Sequence, residues 1–554
     1  MKEKQKTDTI SVKKTYENAQ GKDKKKALYL LQKSRRGIQR VIFGRTFFIL
    51  LMVALQLAVI VWGALYLSQY LVYYLVAFWI AGMILTISVV NRRDNVAFQT
   101  AWIVLMSSLP IFGGLLYLFI QSQVGSRLIV KRQREIRERT KKYGRQKESV
   151  LEEVRDGSGT AALASYVENV IGLPISRLDD ATYYPSGEDF FETLLQELES
   201  AEHFIFLEYF IIQEGEMWGQ VLRILHEKVR QGVEVRVLYD GMCMFDKVPV
   251  TYAKEVNAIG IKCKVFAPLR PALTSRQNNR DHRKILIIDG RVAFTGGVNL
   301  ADEYINKQER FGYWKDNAIR LKGNVVQSMT LLFLQMWNTD ERQEDKYEQY
   351  LEVPQEWKDS WRERGLVPAV SGGGYALPYA SSPNEGENIA ENVYLDIINR
   401  AERYVHIMTP YLVLSQEMRN ALCFAAQRGV EVIILMPHIP DKKYAFALAK
   451  TYYSELLDAG VQIYEFTEGF LHAKTFACDD VKAVVGSINM DFRSFYLHYE
   501  CAVYLYQAPV IADIEDDMQK TMARSQKITR EDVKERKLGT KMMGAVMRLL
   551  APLM

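Results

Sequence analysis

Cysteine is scarce in this chain: five in 554 residues, at positions 243, 263, 423, 478 and 501. The count is odd and no C-x-x-C pair occurs, so neither a disulfide framework nor a cysteine-based zinc site is read, and a reducing compartment fits. Histidine is rare too, with seven copies. Charge is missing altogether from Thr46 to Asn91. Forty-six uncharged residues in a row are hard to hide in a soluble core. Positive charge is short over most of the chain. Residues 1–45 hold fourteen Lys/Arg against four acids, a charge of +10, and residues 126–147 hold ten against two, a charge of +8. The total is only +5, so the remainder carries −13. That argues against a nucleic-acid groove there, because phosphate backbones need a basic surface. The two basic blocks flank the apolar region. Such blocks are solvated faces in general; beside membrane segments they also attract anionic lipid headgroups.

Residues 1–45 read as a basic tail, not a secretory signal peptide, since the apolar part that follows is far too long. The uncharged run of residues 46–91 suffices for two helices of about twenty residues, the length that crosses a hydrocarbon core. They are expected near Thr46–Leu67 and Leu71–Val90, with tyrosines and tryptophans near their ends as interface anchors. A third apolar segment, residues 98–121, contains Ser107-Ser108, Pro110 and Gly113-Gly114. The basic tail, the basic break at 92–93 and the basic block cannot all lie on the inner side if three segments span. The segment therefore either re-enters, pivoting at Pro110 and the glycines, or spans. The re-entrant reading leaves the catalytic part on the cytoplasmic side. Residues 122–170 read as a basic juxtamembrane connector.

The chemistry-bearing stretch starts at Asp281. His282 and Lys284 are two apart, so on a strand they share a face. Ile285 to Ile288 reads as a buried strand, Asp289-Gly290 as a hairpin turn and Arg291 to Thr295 as the return strand. Gly296-Gly297 and Asn299 follow. The same skeleton recurs 190 residues later as His472, Lys474, Asp479, Gly486-Ser487 and Asn489. A lone histidine on a strand is often a core residue. Two copies with identical His–Lys, Lys–Asp and His–Asn spacings argue for shared chemistry.

This pair resembles the H-x-K-x4-D signature of the phospholipase D superfamily. The surroundings are similar to bacterial cardiolipin synthases: Gly296 to Tyr304 and Tyr313-Trp314-Lys315-Asp316 after the first copy, Gly486 to Phe495 and Glu500 after the second. Ala380-Ser381-Ser382-Pro383 departs from the family's frequent Ser-Gly-Pro. The likeness runs from about residue 45 to the C-terminus.

The flanking elements repeat as well. Strands at residues 203–209, 232–240 and 260–265 are matched by 404–411, 429–436 and 460–464, with helices at 219–230 and 417–428. The expected fold is α/β: two phospholipase D-like α/β/α repeats, residues 171–345 and 371–525, forming a pseudo-twofold bilobed body behind a helical membrane anchor. Alternating strands and helices favour a mostly parallel sheet. Residues 346–370 link the repeats. The end, residues 530–554, reads as a basic amphipathic helix with Met543, Val546, Met547 and Leu550 on one face, suited to a membrane surface or to docking on the core.

A site with two histidines and two lysines supplies a nucleophile, a leaving-group acid and cations for the phosphoryl oxygens without a metal or cofactor. Lys284 and Lys474 would bear on the non-bridging oxygens, with Asn299 and Asn489 donating and Ser487 able to line the site. Asp289 and Asp479, counted with the catalytic set, either brace the strands or orient a histidine across the pseudo-dyad. Spacing does not distinguish the two histidines. The resemblance implies His282 as nucleophile and His472 as acid; Trp314, Asp316, Asp491, Arg493 and Glu500 match family positions and read mainly as framework. It further implies transfer of a phosphatidyl group from one phosphatidylglycerol to another at a membrane. A hydrolase, or a transferase using a different alcohol, is the alternative. Partners expected are the phospholipid and the membrane, not nucleic acid. The sequence is silent on oligomeric state.

Overall fold

The computed structural model describes isolated positions between 54 and 66 and residues 70–92, 95–108, 110–122, 124–268, 279–367, 372–383 and 387–551. The basic tail and the first expected membrane helix, Thr46–Leu67, thus lie outside the described residues apart from those isolated positions. The chain divides into two compact units, one built from residues 1–124 and the other from nearly all the rest.

In the first unit, α1 spans Leu71–Val90, α2 Val96–Ser108 and α3 Pro110–Ser122. Helix α1 is twenty residues without a charge, and Val72, Tyr73 and Trp79 on it are exposed. Taken over the described residues, no helix is long and apolar enough to cross a membrane. The third apolar segment is two helices, broken where Pro110 cannot continue the i→i−4 ladder of α2. A Cβ on Gly113 would sit 2.8 Å from the Leu105 carbonyl oxygen, so α2 and α3 pack backbone to backbone. Val89, Trp102, Met106 and Tyr117 form the small core of this unit.

The second unit opens with the charged helix α4, Val124–Thr140. Its centre is one sixteen-stranded sheet. The first half contributes β1 (Ser176–Tyr184), β2 (Phe204–Tyr209), β3 (Glu234–Asp240), β4 (Lys262–Phe266), β5 (Arg280–Asp281), β6 (Lys284–Ile288), β7 (Val292–Gly296) and β9 (Ala318–Gly323). The second contributes β10 (Tyr375–Ser381), β11 (Tyr404–Met408), β12 (Glu431–Pro437), β13 (Gln462–Phe466), β15 (Thr475–Cys478), β16 (Lys482–Gly486), β17 (His498–Tyr506) and β18 (Ser525–Lys527). A separate pair joins β8 (Tyr313–Lys315) to β14 (Gly469–Leu471).

The strand order is β4-β3-β2-β6-β7-β9-β1 on one side and β10-β17-β16-β15-β11-β12-β13-β18 on the other. The first seven strands of each side mirror one another, and the pseudo-dyad passes between β1 and β10. The two repeats thus share a continuous sheet. Only β2-β3-β4 and β11-β12-β13 are parallel within it, apart from the short β5–β17 pair. The expectation of a mostly parallel sheet is corrected on this point. Tight hairpins such as Asp289-Gly290, whose positive φ values fit a primed turn, reverse the chain and force antiparallel pairing.

Helices cover the faces. The first half uses α5 (Gly187–Glu199), α6 (Glu216–Arg230) and α7 (Val325–Trp337); the second uses α8 (Ile389–Arg400), α9 (Gln416–Gln427), α10 (Lys443–Ala449) and α11 (Val510–Ala523). In α6 the buried Met217, Trp218, Val221, Ile224 and Leu225 recur at helical spacing and face the sheet, leaving the polar side to water. The terminal helix α12, Leu538–Leu550, lies on α10: a Cβ on Gly544 would meet the Ala447 carbonyl oxygen at 2.6 Å. It docks on the body through this side while Leu538, Met542, Met543 and Val546 stay exposed. Met543 and Val546, expected on one face with Met547, belong to that exposed set; Met547 is half-buried.

Candidate active site

Each histidine is positioned by the opposite half. Strand β5 runs parallel to the start of β17, and the His282 N–H donates to the Tyr499 carbonyl at 2.9 Å. The next residue, Glu500, places its carboxylate against His282 Nδ1 at 2.9 and 3.0 Å. Strand β14 runs parallel to β8 in the same manner. The His472 N–H donates to the Lys315 carbonyl at 2.7 Å, and Asp316 Oδ2 meets His472 Nδ1 at 2.6 Å. A carboxylate on Nδ1 fixes the ring and its tautomer, leaving Nε2 for chemistry. Both histidines are buried, each 7% exposed.

Each lysine stands two residues past its histidine, Lys284 at the start of β6 and Lys474 just before β15, while both histidines lie between strands. Lys284 Nζ donates to the His282 carbonyl at 2.5 Å, and Lys474 Nζ donates to the His472 carbonyl. Both are fully buried, which lowers Lys284 to about 8 and Lys474 to about 7. Lys284 is supported first by Glu500 and then by Asp316, and Lys474 first by Asp316 and then by Glu500, so each ammonium feels the other half's carboxylate most. Burial also holds the histidines neutral, with His282 down to about 3 and His472 to about 4. Burial would raise the carboxyls, but the adjoining imidazoles, and for Asp316 also Lys474, outweigh it; both Glu500 and Asp316 end below the usual range. The resting site thus pairs two anions with two cations around two neutral imidazoles. That arrangement suits an anionic phosphodiester, whose charge would restore full protonation of the lysines.

Asp289 and Asp479 do something else. The Asp289 carboxylate accepts the backbone N–H groups of Glu202, His203 and Phe204 at 2.7–2.9 Å, pinning the entry to β2. Asp479 accepts those of Glu402, Arg403 and Tyr404 at 2.8–2.9 Å, pinning β11. They are strand braces, and their place in the catalytic set is corrected. The orienting carboxylates are Asp316 and Glu500, which the sequence reading took as framework.

Asn299 is also committed elsewhere. Its Oδ1 accepts the Ile211 N–H at 3.0 Å and its Nδ2 donates to the Tyr304 hydroxyl at 2.7 Å, tying the loop after β2 to the site. Asn489 keeps a buried amide oxygen with no protein partner, so it stays available for a ligand. Ser487 does not line the site as expected. Its hydroxyl donates to Glu500 and accepts the Cys501 N–H at 3.1 Å, and Ser494 donates to the other Glu500 oxygen at 2.7 Å. Both serines hold the carboxylate that holds His282.

The rings beside the two histidines differ. Trp314 lies 5.3 Å and Tyr304 5.6 Å from His472, centroid to centroid. Phe210 lies 4.8 Å and a third histidine, His498, 5.6 Å from His282. His498 belongs to no motif that the sequence repeats. Its position two residues before Glu500 was the only signal.

Comparison with known proteins agrees with this geometry. The family model described as cardiolipin synthase, PLD-like domain, matches residues 194–337 and 394–522. An uncharacterized protein of Streptococcus mutans is 47% identical over 466 residues, covering 84% of this chain and 98% of that protein. A cardiolipin synthase of a Geobacillus species is 33% identical over 470 residues, covering 84% and 91%. Among solved structures, the phosphatidylserine synthase of Haemophilus influenzae superposes with a TM-score of 0.51 at 14% identity, over 71% of this chain and 97% of that one, a likeness of fold.

Proposed function

The chain belongs to the bacterial cardiolipin synthases of the phospholipase D superfamily and is a phospholipid phosphatidyltransferase, and on that premise we propose that it joins two phosphatidylglycerol molecules into cardiolipin with release of glycerol. The crossed pairing His282–Glu500 and His472–Asp316 carries this reading, because it makes one site from two halves. Nε2 of His282 attacks phosphorus and a P–N bond forms. The P–O bond to glycerol breaks, and His472, neutral at rest and taking up a proton beside Asp316 when the anionic phosphodiester binds, gives that proton to the departing alkoxide. The hydroxyl of a second phosphatidylglycerol then loses its proton to His472 and attacks phosphorus. The P–N bond breaks and His282 is restored. Lys284 and Lys474 stabilise the charge on the non-bridging oxygens in both steps. Glu500, held by Ser487 and Ser494, compensates the positive charge that His282 acquires.

The uncharged run of residues 46–91 and the exposed Val72, Tyr73 and Trp79 support a membrane anchor, with the catalytic unit on the cytoplasmic side. The break at Pro110 and the close α2–α3 packing support a re-entrant third segment. The exposed apolar side chains of α12, beside Lys537, Lys541 and Arg548, favour contact with anionic lipid.

The test is product analysis with purified protein in micelles containing labelled phosphatidylglycerol as the sole lipid, in the presence of a chelator. Cardiolipin with one equivalent of glycerol is the expected result. Phosphatidate alone would make water the acceptor and overturn the transferase reading. No turnover until another alcohol is supplied would replace the acceptor.

A further inference from the structure

His498 is buried at 8% exposure, and neither ring nitrogen has a hydrogen-bond partner. The mechanism above does not use it. A buried imidazole with two unsatisfied nitrogens costs free energy unless something else uses them. Its surroundings say what could. Nδ1 of His498 lies 3.8 Å from Glu500 Oε1, and Nδ1 of His282 lies 2.9 Å from the same oxygen. One ligand atom from each of His282, His498 and Glu500 falls within 4.8 Å of the others, and among the described residues this is the only such group of three. Zinc binds imidazole nitrogen and carboxylate oxygen at about 2.0–2.2 Å, so tetrahedral ligands stand about 3.4 Å apart. The two known edges bracket that value.

We propose that His282, His498 and Glu500 form a binding site for a zinc-like divalent cation, and that the cation inhibits the enzyme by sequestering His282. Three protein ligands leave a fourth position for water or a phosphate oxygen. Nδ1 of His282 cannot give its lone pair to a metal while it donates a hydrogen to Glu500. Binding therefore exchanges that hydrogen bond for a metal–nitrogen bond, moves the ring proton from Nδ1 to Nε2, where it blocks the attacking lone pair, and withdraws electron density from the ring. Magnesium and calcium, which favour six or more oxygen ligands, do not suit two imidazoles. The other half has no counterpart. The position equivalent to His498, two residues before the orienting carboxylate, is Trp314, whose indole packs on His472 and offers no lone pair in the ring plane. One cation per chain follows.

The test uses the full-length chain in detergent. Calorimetric titration with Zn2+ is expected to give one site, and Co2+ to give the visible absorption of a tetrahedral complex. Turnover is expected to fall at least tenfold at saturating Zn2+, recover with chelator and ignore Mg2+. His498→Asn is expected to lose the binding, and whatever turnover it retains is expected to ignore Zn2+. The inactive His472→Asn is expected to keep one site, which separates this proposal from any failure of the reaction scheme. Unchanged Zn2+ affinity in His498→Asn, or no bound metal in the unaltered chain, would overturn it.

Discussion

The two halves of the catalytic unit perform the same positioning with different side chains. In the first, Asp316 reaches His472 and stands where any side chain on residue 297 would go: a Cβ on Gly297 would lie 2.0 Å from Asp316 Oδ1. In the second, Glu500 is one methylene longer, and the space beside it holds Ser487, whose hydroxyl donates to it. Gly297 with Asp316 and Ser487 with Glu500 are thus alternative fillings of one volume. The second filling brings more donors: Glu500 accepts from His282, Ser487 and Ser494, whereas Asp316 accepts from His472 and the Asn317 N–H. A carboxylate with more donors stays ionised more firmly. That asymmetry favours His282, the histidine beside the better-held anion, as the one that carries positive charge once phosphorylated.

The largest effect should come from the histidines. His282→Ala and His472→Ala are each expected to lower turnover by at least about 10³-fold, since nucleophile and acid act as one unit. Labelled lipid followed by rapid acid-free denaturation separates their roles. His472→Ala should retain label on the protein because the second step lacks its base, and His282→Ala should retain none. The reverse pattern would exchange the two assignments.

The orienting carboxylates come next. Glu500→Gln and Asp316→Asn preserve shape but remove the anion that fixes each tautomer, so losses of about 10² to 10⁴-fold are expected. If the halves differ as their donor sets indicate, Glu500→Gln should slow formation of the protein-bound label and Asp316→Asn its discharge, as read by single-turnover kinetics. Equal effects on both steps would erase the distinction drawn above.

The motif aspartates should divide differently, in stability and not in turnover. Asp289→Ala leaves three backbone N–H groups, one buried and two partly buried, without an acceptor and is expected to cost about 2 kcal/mol. Asp479→Ala, at a partly exposed turn, is expected to cost about 1 kcal/mol. Denaturant midpoints measure this, and the specific activity of the folded fraction should stay near that of the unaltered protein. A specific activity lowered a hundredfold in either would return these residues to the reaction.

Much of this was legible in the sequence because the repeat states it twice. The matched spacings locate both histidines, both lysines and the hairpins beyond them. The partners of the histidines were not legible. Glu500 lies 218 residues from His282 and Asp316 lies 156 from His472, and no local period reaches across the dyad. Strand β1, with Asp179 and Asp180 in its middle, lacks the apolar alternation that marks a strand; its pairing with β9 and β10 supplies what its composition does not. Ser487 and Asn299 were misjudged for one reason: a polar side chain next to a catalytic motif can be spent on the scaffold that holds the motif.

The smallest effect concerns the lysines. Burial pushes Lys474 down to about 7, and removal of its proton leaves the phosphoryl oxygens without one of their two cations. A cation with a depressed pKa is present below that value and lost above it. The kcat/KM of the free enzyme should therefore decline above about pH 7, approaching tenfold per unit if Lys474 alone is essential. Bound phosphodiester favours the ammonium, so kcat should hold to a higher pH than kcat/KM. Lys474→Arg carries a charge that does not titrate in this range. Its activity should be lower, because the planar guanidinium cannot reproduce the ammonium's contact with the His472 carbonyl, but its alkaline decline should be flattened. A decline that persists unchanged in Lys474→Arg would assign the titration to another group and remove the electrostatic role given to Lys474.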